Sequence, residues 1–72
     1  MKYIVVITDT GLPAAILFHE FFNHSDIAAS KKVVGAGFCN ANGDVWGQST
    51  SLQINAKKKD KIYVQQAIDF RV

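Results

Sequence analysis

Residues 31–52 read KKVVGAGFCNANGDVWGQSTSL, and they hold the strongest turn signal in the chain. Asn42 and Gly43 lie between two runs of β-compatible residues, and an Asn-Gly pair suits a two-residue type I′ turn in which both residues have positive φ. Such a loop places Cys39 opposite Trp46 on neighbouring strands. The stretch therefore predicts a central β-hairpin around which the other elements are arranged.

The predicted register gives this hairpin two different faces. It pairs Phe38 with Gly47 and brings four apolar side chains together: Val34, Ala36, Phe38 and Val45. Trp46 falls on the reverse face, because successive side chains on a strand alternate. A glycine inside a strand often marks the close approach of a ring or another backbone. We expect such an approach at three positions: Gly35, Gly37 and Gly47.

The chain has 72 residues, 49% of them hydrophobic, and this is near the size at which one core is barely sufficient. We therefore expect a single domain over residues 1–72. Its one cysteine excludes an intrachain disulfide, and no Cys and His residues have the spacing of a zinc site. Residues 3–8 are apolar on both faces, as in an interior strand. Because a chain of this size has little material to cover both faces, the sequence predicts a homodimer.

The charge of the chain is modest. Charged residues make up 19%, and the formal net charge of +2 does not by itself indicate a nucleic-acid-binding protein. No window approaches the length of a membrane span. The apolar run at residues 3–7 is too short for a secretory signal, and no small-residue cleavage site follows it. We expect a protein of the reducing cytoplasm without membrane association.

The first half of the chain predicts two strands and a short helix. Turn formers end the first strand, and residues 14–18 are expected to return as a second strand. A helix is the alternative for residues 14–18, because Ala and Leu favour helices and Pro13 suits a first helical position. A short helix is predicted at residues 26–29, with Ser25 or Asn23 as its N-cap.

The second half of the chain predicts a longer strand and a terminal helix. Alternating apolar residues extend the strand after the hairpin to about residue 55. From Asp60 the period becomes that of an amphipathic helix, with an apolar stripe of Tyr63, Val64, Ala67, Ile68 and Val72. Asp60 is the expected N-cap, since an earlier start would place lysines at the positive end of the helix dipole. The predicted fold class is α+β: a small antiparallel sheet of about four strands in two hairpins, a short middle helix, and a C-terminal amphipathic helix packed on one face.

One short motif suggests proteolysis. Asp9, Thr10 and Gly11 follow a hydrophobic strand, which resembles the catalytic loop of retroviral-type aspartic proteases. In that chemistry two carboxylates share a proton, so one copy per chain requires a dimer. The glycine-containing flap of those proteases is not evident here. We therefore favour an ordinary turn in which Asp9 bonds its own backbone.

Histidines and the cysteine suggest a metal or a nucleophile. His19 and His24 are five residues apart, which on a helix rotates the second ring away from the first. Glu20 and His24 are four apart, and Asp26 is the nearest further ligand. Cys39 has aromatic neighbours and no base nearby in sequence, so an inert buried thiol is expected. We predict no metal, no cofactor and no catalytic residue, and hence no enzyme.

Lysines form the main concentration of charge: Lys57, Lys58, Lys59 and Lys61. Together with Lys31, Lys32 and Trp46 they would offer phosphate contacts and a ring for base stacking. Asp60 interrupts the run, and a solvated loop explains these lysines equally well. Nucleic-acid binding is therefore kept as the alternative function.

The order of several segments resembles short accessory proteins of tailed bacteriophages that have no assigned activity. Four segments carry the likeness: TDTG at 8–11, ILF at 16–18, VVGAGF at 33–38 and GQSTSL at 47–52. The likeness spans most of the chain and includes no catalytic motif. It implies a phage origin, and proteins of that class often bind and inhibit or redirect host proteins, including defence proteins.

The leading hypothesis is a non-enzymatic protein-interaction module that binds a host protein in the host cytoplasm. The predicted partner-binding residues lie on the outer face of the central hairpin: Trp46, Gln48 and Thr50. Tryptophan is enriched among the residues that dominate binding energies. The alternative for Trp46 is a second core under the short helix, beside Phe21 and Phe22.

Overall fold

In the computed structural model, which describes residues 1–70, six strands and two helices follow one another along the chain. The strands are β1 (Lys2–Ile7), β2 (Pro13–Phe18), β3 (Val33–Cys39), β4 (Val45–Trp46), β5 (Gln48–Ser49) and β6 (Ile54–Asn55). The helices are α1 (His24–Ala28) and α2 (Asp60–Phe70). Four strands form an antiparallel sheet in the order β2-β1-β3-β4, and β5 and β6 form a second, smaller sheet. The predicted α+β class is confirmed.

Strand β1 lies in the interior of the four-stranded sheet, as its apolar sequence predicts. It pairs with β2 from Lys2 opposite Phe18 to Ile7 opposite Pro13, and its other edge pairs with β3. Residues 14–18 are therefore a strand, and the helix alternative is wrong. Pairing along the whole length of β1 outweighs the helix propensity of Ala and Leu, which is only a weak preference.

Both faces of β1 are covered within one chain. Tyr3 and Val5 pack on one face with Val64 of α2, and Ile4 packs on the other with Ala28 of α1. None of these five side chains is more than 4% exposed. The sequence argument for a homodimer assumed that a second chain was needed to cover β1, and that premise does not hold. The homodimer itself stays a prediction.

The central hairpin turns through three residues rather than two. The Asn40 N–H donates to the Asp44 carbonyl oxygen (3.2 Å), and the Gly43 N–H donates to the Asn40 carbonyl oxygen (3.0 Å). Gly43 has a φ of 87° and Asn42 has no positive φ, so the type I′ prediction is wrong. The Asn40 side chain explains the difference, because its Oδ1 accepts the N–H groups of Asn42 (3.0 Å) and Asp44 (3.1 Å).

The extra loop residue shifts the register of the hairpin by one position. Phe38 pairs with Trp46, and Cys39 pairs with Val45. The predicted pairs, Cys39 with Trp46 and Phe38 with Gly47, are therefore wrong. Because a shift of one residue moves a side chain to the other face, Trp46 now shares its face with Phe38, while Val45 shares the opposite face with Cys39.

The predicted apolar floor of α2 is divided between the two faces of the sheet. Val34 and Val45 pack with the cluster under α2, as predicted, whereas Ala36 packs with the cluster under α1. Phe38 is on the same side as Ala36, because the two are separated by one residue of β3. A bulge in the pairing of β1 with β3 accounts for the different side of Val34.

The strand after the hairpin ends much earlier than predicted. Gly47 has a φ of 76°, and the chain turns there, directly after the two residues of β4. Gln53, with a φ of 57°, lies in the turn before β6, and β6 pairs with β5 instead of continuing the main sheet. The expected close approach at Gly47 is present, since a Cβ there would lie 2.9 Å from the Phe38 ring.

The two helices begin close to their predicted positions. Helix α1 has Asn23 as its N-cap and starts at His24, two residues earlier than expected. Helix α2 starts at Asp60 as predicted, but the Asp60 carboxylate turns inward and accepts the backbone N–H of Lys57 (3.0 Å) instead of capping the next turn. The predicted stripe packs on the core through Tyr63, Val64, Ala67 and Ile68. Val72, its last predicted member, lies outside the described residues.

Replacing Gly43 with Val is expected to lower the free energy of unfolding by at least about 1 kcal/mol, because a β-branched residue would be forced to a positive φ. The new side chain would also meet Gln65. Urea unfolding followed by circular dichroism measures the loss. Gly43→Asn is the matched control, since Asn tolerates the left-handed region and should retain more of the stability. Equal midpoints for Gly43→Val and the wild type would contradict this turn.

Candidate functional site

A row of side chains crosses the four-stranded sheet on the face that α1 covers. Lys2 pairs with Phe18 on β2 and with Phe38 on β3, and Phe38 pairs with Trp46 on β4. Directly paired residues of antiparallel strands project to the same face. The row therefore consists of three aromatic rings and one lysine, in the order Phe18, Lys2, Phe38, Trp46.

Trp46 stacks on Phe38 at the end of this row. The ring centroids are 6.5 Å apart and the ring planes differ by 20°, a near-parallel stack. Trp46 is 49% exposed, and neither ring belongs to a buried core cluster. The alternative of a second core that combines Trp46 with Phe21 and Phe22 is wrong, because those two residues are 83% and 47% exposed.

His24 packs against the row from helix α1. It is 4% exposed, and its Nε2 lies 2.8 Å from the Gly37 carbonyl oxygen. A carbonyl oxygen only accepts, so Nε2 carries the proton and donates. The imidazole also meets the rings of Phe18 and Phe38 nearly edge-on, with centroid distances of 5.5 Å and 5.9 Å. These contacts hold the Phe38 ring in place.

A shallow pocket of about 110 Å³ lies beside Phe38 and is lined by Lys2, Asn23, His24, Phe38, Gln48, Thr50 and Ser51. Gln48 and Thr50 are exposed and line this pocket with Phe38, and Trp46 stacks on Phe38, so the three predicted partner-binding residues are linked through Phe38. We call Phe38, Trp46, Gln48 and Thr50 the Trp46 patch. Sequence reasoning missed Phe38, because the two-residue turn placed it on the other face.

Two more exposed rings lie beyond Lys2. Phe21 and Phe22 meet edge to face, with centroids 5.6 Å apart. The Lys2 ammonium donates to the Phe22 carbonyl oxygen (2.9 Å), which ties this loop to the row. Exposed aromatic surface therefore extends on both sides of Lys2.

A groove of about 410 Å³ is lined by Asp44, Val45, Trp46, Gly47, Ala56, Lys57, Lys58 and Lys61. We call it the lysine groove. Its lining combines Trp46 and small apolar residues with three lysines. The structure therefore joins Trp46 to part of the lysine cluster, as the alternative function required.

The lysines of the groove differ in how they are bound. Lys61 Nζ lies 3.0 Å from Asp44 Oδ1, and Lys57 Nζ donates to the Val34 carbonyl oxygen. The hydrogen bond from Lys61, with a second from Asn40, holds the pKa of Asp44 below its ordinary value. Within residues 1–70, the Lys58 side chain forms no ion pair or hydrogen bond.

The remaining lysines of the predicted nucleic-acid surface lie elsewhere. Lys32 does not line the groove, and it lies two residues before Val34, whose carbonyl oxygen accepts a hydrogen bond from Lys57. The Lys31 ammonium donates to the Ile27 carbonyl oxygen (3.2 Å) at the end of α1. Lys59 is exposed and does not line the groove. Three of the six predicted lysines therefore line the groove: Lys57, Lys58 and Lys61.

The motif that suggested proteolysis forms a turn. Asp9 is exposed between β1 and β2, and the Thr8 N–H and hydroxyl both donate to the Leu12 carbonyl oxygen (2.9 Å each). Cys39 is fully buried, at 0% exposure. A thiol in this position has no access to a substrate.

The candidate metal ligands form hydrogen bonds or ion pairs with separate partners instead of lying together. His19 Nδ1 accepts the N–H of Phe21 (2.9 Å), and Glu20 Oε1 faces the N-terminal ammonium at 3.4 Å. His24 is buried against Gly37, as described above. Within residues 1–70, no three His, Cys, Asp or Glu side chains lie together as a metal site would require.

A buried tyrosine–carboxylate pair lies under α2 and was missed by sequence reasoning. The Tyr3 hydroxyl donates to Asp60 Oδ2 at 2.7 Å, and the two residues are 0% and 1% exposed. Burial, reinforced by the Asp60 carboxylate, raises the pKa of Tyr3 well above its ordinary value. A Cβ at Gly35 would lie 2.8 Å from Asp60 Oδ1. The glycine within the predicted strand was therefore the sequence feature that could have indicated the buried carboxylate. Sealed from solvent, this pair is structural.

Comparisons with protein-family models, curated proteins and solved structures find no match to this chain. Neither helix within residues 1–70 is long and apolar enough to cross a membrane. Function is therefore inferred from the surfaces described above.

Proposed function

We propose that this protein is a small non-enzymatic interaction module that binds another protein through the Trp46 patch. One observation carries the proposal: Trp46 is half exposed, stacked on Phe38, and outside both core clusters. A large ring that the core does not require is available to a partner, and tryptophan is a frequent binding hot spot. Gln48 and Thr50 supply the polar groups that surround such a ring in an interface.

The Trp46 patch is ordered before binding. Phe38 lies on a paired strand, His24 packs against its ring, and the stack restricts Trp46. A surface that is already ordered loses little side-chain entropy on association, so more of the contact energy appears as affinity. Truncation of Trp46 is expected to cost at least about 2 kcal/mol of binding free energy.

The resemblance to phage accessory proteins supports a bacterial host protein, such as a defence protein, as the partner. In this proposal the module acts in the host cytoplasm by covering a surface of its partner. Such a mechanism needs shape and an aromatic anchor, and it needs no catalytic group.

Trp46→Ala is expected to keep the fold and lose the partner. The loss of the stack on Phe38 lowers the free energy of unfolding by about 1 kcal/mol beyond the burial lost with the half-buried ring, whereas recovery of the partner from a bacterial lysate should fall more than tenfold. Ile62→Ala is the matched control, because Ile62 is 59% exposed on α2 and outside the patch. Equal recovery with both variants would contradict the proposal, and an unfolded Trp46→Ala chain would show that the ring supports the fold.

A homodimer at micromolar concentration is also expected. The support is now the exposed apolar surface rather than β1, since Trp46, Phe21 and Phe70 all have large exposed rings. Light scattering over a wide concentration range measures the mass in solution. A strict monomer at every concentration would contradict the homodimer.

Nucleic-acid binding is the second candidate function, favoured by one observation: Trp46 lies beside three lysines in the lysine groove. A complex of this kind weakens steeply as salt is added, because counterions return to the phosphates. Lys31, Lys32 and Lys59 lie outside the groove, which limits the number of phosphate contacts. Titration with oligothymidylate at low and high salt tests this candidate.

A further inference from the structure

We propose that the partner presents a short acidic segment, and that its carboxylates enter the lysine groove while a neighbouring apolar side chain packs on Trp46. This inference rests on the proposed function, because it names the chemistry of the partner at the surface that Trp46 anchors. The Trp46 patch and the lysine groove share Trp46. A single bound segment therefore contacts both.

The charge of the groove supports an acidic occupant. Three lysines line it against one aspartate, so the lining carries a positive excess of two. Only Lys61 has a carboxylate partner within residues 1–70, and that partner is Asp44. The charges of Lys57 and Lys58 are not neutralised by any described carboxylate. Carboxylates of a partner would complement them and steer the encounter.

The shape of the groove supports a segment in which acidic and apolar residues are adjacent. Its lining is mixed in character, because Trp46 and Ala56 lie among three lysines. Lys58 has no hydrogen bond to give up, so its ammonium pairs with a carboxylate without breaking a contact in the described chain. An apolar side chain beside that carboxylate then covers the exposed half of the indole.

The same geometry disfavours a nucleic-acid strand. Affinity for single strands comes from a basic track that follows many phosphates, together with stacking rings. Here Lys57 and Lys61 already have partners, and Lys31, Lys32 and Lys59 do not line the groove. Three lysines and one aspartate are too few to form such a track, whereas a segment with two carboxylates matches the positive excess of two.

The single tryptophan of the chain provides the measurement, since Trp46 reports binding in the groove by its own fluorescence. The probe is the blocked peptide Glu-Glu-Leu-Asp-Glu-Leu, compared with its uncharged analogue Gln-Gln-Leu-Asn-Gln-Leu and with oligothymidylate. We expect a saturable fluorescence change with the acidic peptide and at least tenfold weaker binding of the other two. Stronger binding of oligothymidylate would overturn the proposal in favour of nucleic acid, and no response to the acidic peptide would also overturn it.

Charge reversal locates the binding. Lys58→Glu removes the positive excess of charge in the groove and is expected to weaken the binding of the acidic peptide at least tenfold. Lys31→Glu is the matched control, because it changes the net charge equally at the end of α1, on the opposite face of the sheet from α2, and should leave binding unchanged. Equal weakening by both variants would overturn the groove as the site.

The failure of this inference and the failure of the proposed function are distinguishable in the lysate experiment. Loss of the partner with both Trp46→Ala and Lys58→Glu supports an acidic partner at the groove. Loss of the partner with Trp46→Ala alone supports the proposed interaction module and overturns the proposal of an acidic segment. If both variants still bind the partner, the proposed function and the acidic segment are both overturned.

Discussion

Tyr3→Phe is expected to lower the free energy of unfolding by about 3 kcal/mol, because a buried carboxylate loses a strong hydrogen-bond donor. The Tyr3 hydroxyl lies 2.7 Å from Asp60 Oδ2, and both residues are in the core. Phenylalanine fills the same space, so no cavity contributes to the loss. After the change, Asp60 Oδ2 keeps the Lys57 backbone N–H at 3.0 Å as its donor. Urea unfolding followed by circular dichroism measures the difference.

Tyr63→Phe is the matched control for this substitution. Tyr63 is partly buried, and its hydroxyl makes no hydrogen bond within residues 1–70. Its replacement should change the free energy of unfolding by less than about 0.5 kcal/mol. Adding Asp60→Asn to Tyr3→Phe should recover part of the loss. A buried neutral amide that lacks one hydrogen-bond donor costs less free energy than a buried carboxylate that lacks one. Equal effects of Tyr3→Phe and Tyr63→Phe would contradict a role for the buried pair.

The same pair makes stability depend on pH in the alkaline range. Burial and the Asp60 carboxylate raise the pKa of Tyr3 in the folded protein. The unfolded chain ionises tyrosine near pH 10, while the folded chain keeps the proton, so above that pH the unfolded state binds fewer protons. The contribution is therefore fully present below about pH 10 and is lost as the pH rises further. Tyr3→Phe should flatten this decline when unfolding midpoints are compared between about pH 8 and pH 11.

Gly37→Ala is expected to lower the free energy of unfolding by about 2–3 kcal/mol, because the strand has no room for a methyl group. A Cβ at Gly37 would lie 2.7 Å from the Trp46 carbonyl oxygen and 2.9 Å from the Ala56 Cβ. The carbonyl belongs to the backbone of the paired strand β4 and has no rotamer by which to move away. Thermal unfolding followed by circular dichroism measures the shift.

The direction of the Gly37→Ala effect is itself informative. Gly37 has no positive φ, and at such a position the replacement of glycine by alanine otherwise stabilises a protein by about 0.4–1 kcal/mol. A loss of stability therefore reports the close contact. Ala56→Gly in the same chain removes one of the close contacts and should recover part of the loss. Unchanged or increased stability in Gly37→Ala would contradict the close approach.

Local sequence pattern was sufficient to predict the type of most elements. The apolar run at residues 3–8 predicted an interior strand, and β1 lies between two others. The stripe that begins at Tyr63 predicted the amphipathic helix α2 and its start at Asp60. Gly43 was recognised as a position that needs positive φ. These features depend on residues within a few positions of one another, so periodicity and turn chemistry determine them.

The register of the central hairpin depended on a side-chain contact that the pattern does not contain. The Asn40 carboxamide binds two N–H groups of the turn and adds one residue to the loop. Because side chains alternate along a strand, that one residue moved Trp46 to the face of Phe38. Both faces of this hairpin carry apolar residues, and so composition did not distinguish the two registers.

The direction of Asp60 was decided by residues that are distant in sequence. At the start of a helix a carboxylate suits an N-cap, yet Asp60 binds the hydroxyl of Tyr3, which is 57 residues away. Gly35 leaves the space that the carboxylate occupies. A buried hydrogen bond of this kind exists only after α2 has packed on the sheet.

The candidate site shows the same division. Residue order alone places Trp46, Gln48 and Thr50 close together in the chain and gives Trp46 small and polar neighbours. Packing of distant elements leaves Trp46 half exposed, stacks it on Phe38 and places it with three lysines in the lining of one groove. The physical reason is that the burial of a ring depends on which elements pack over it, and Trp46 lies on the short strand β4 at the edge of the sheet, where no helix covers it fully.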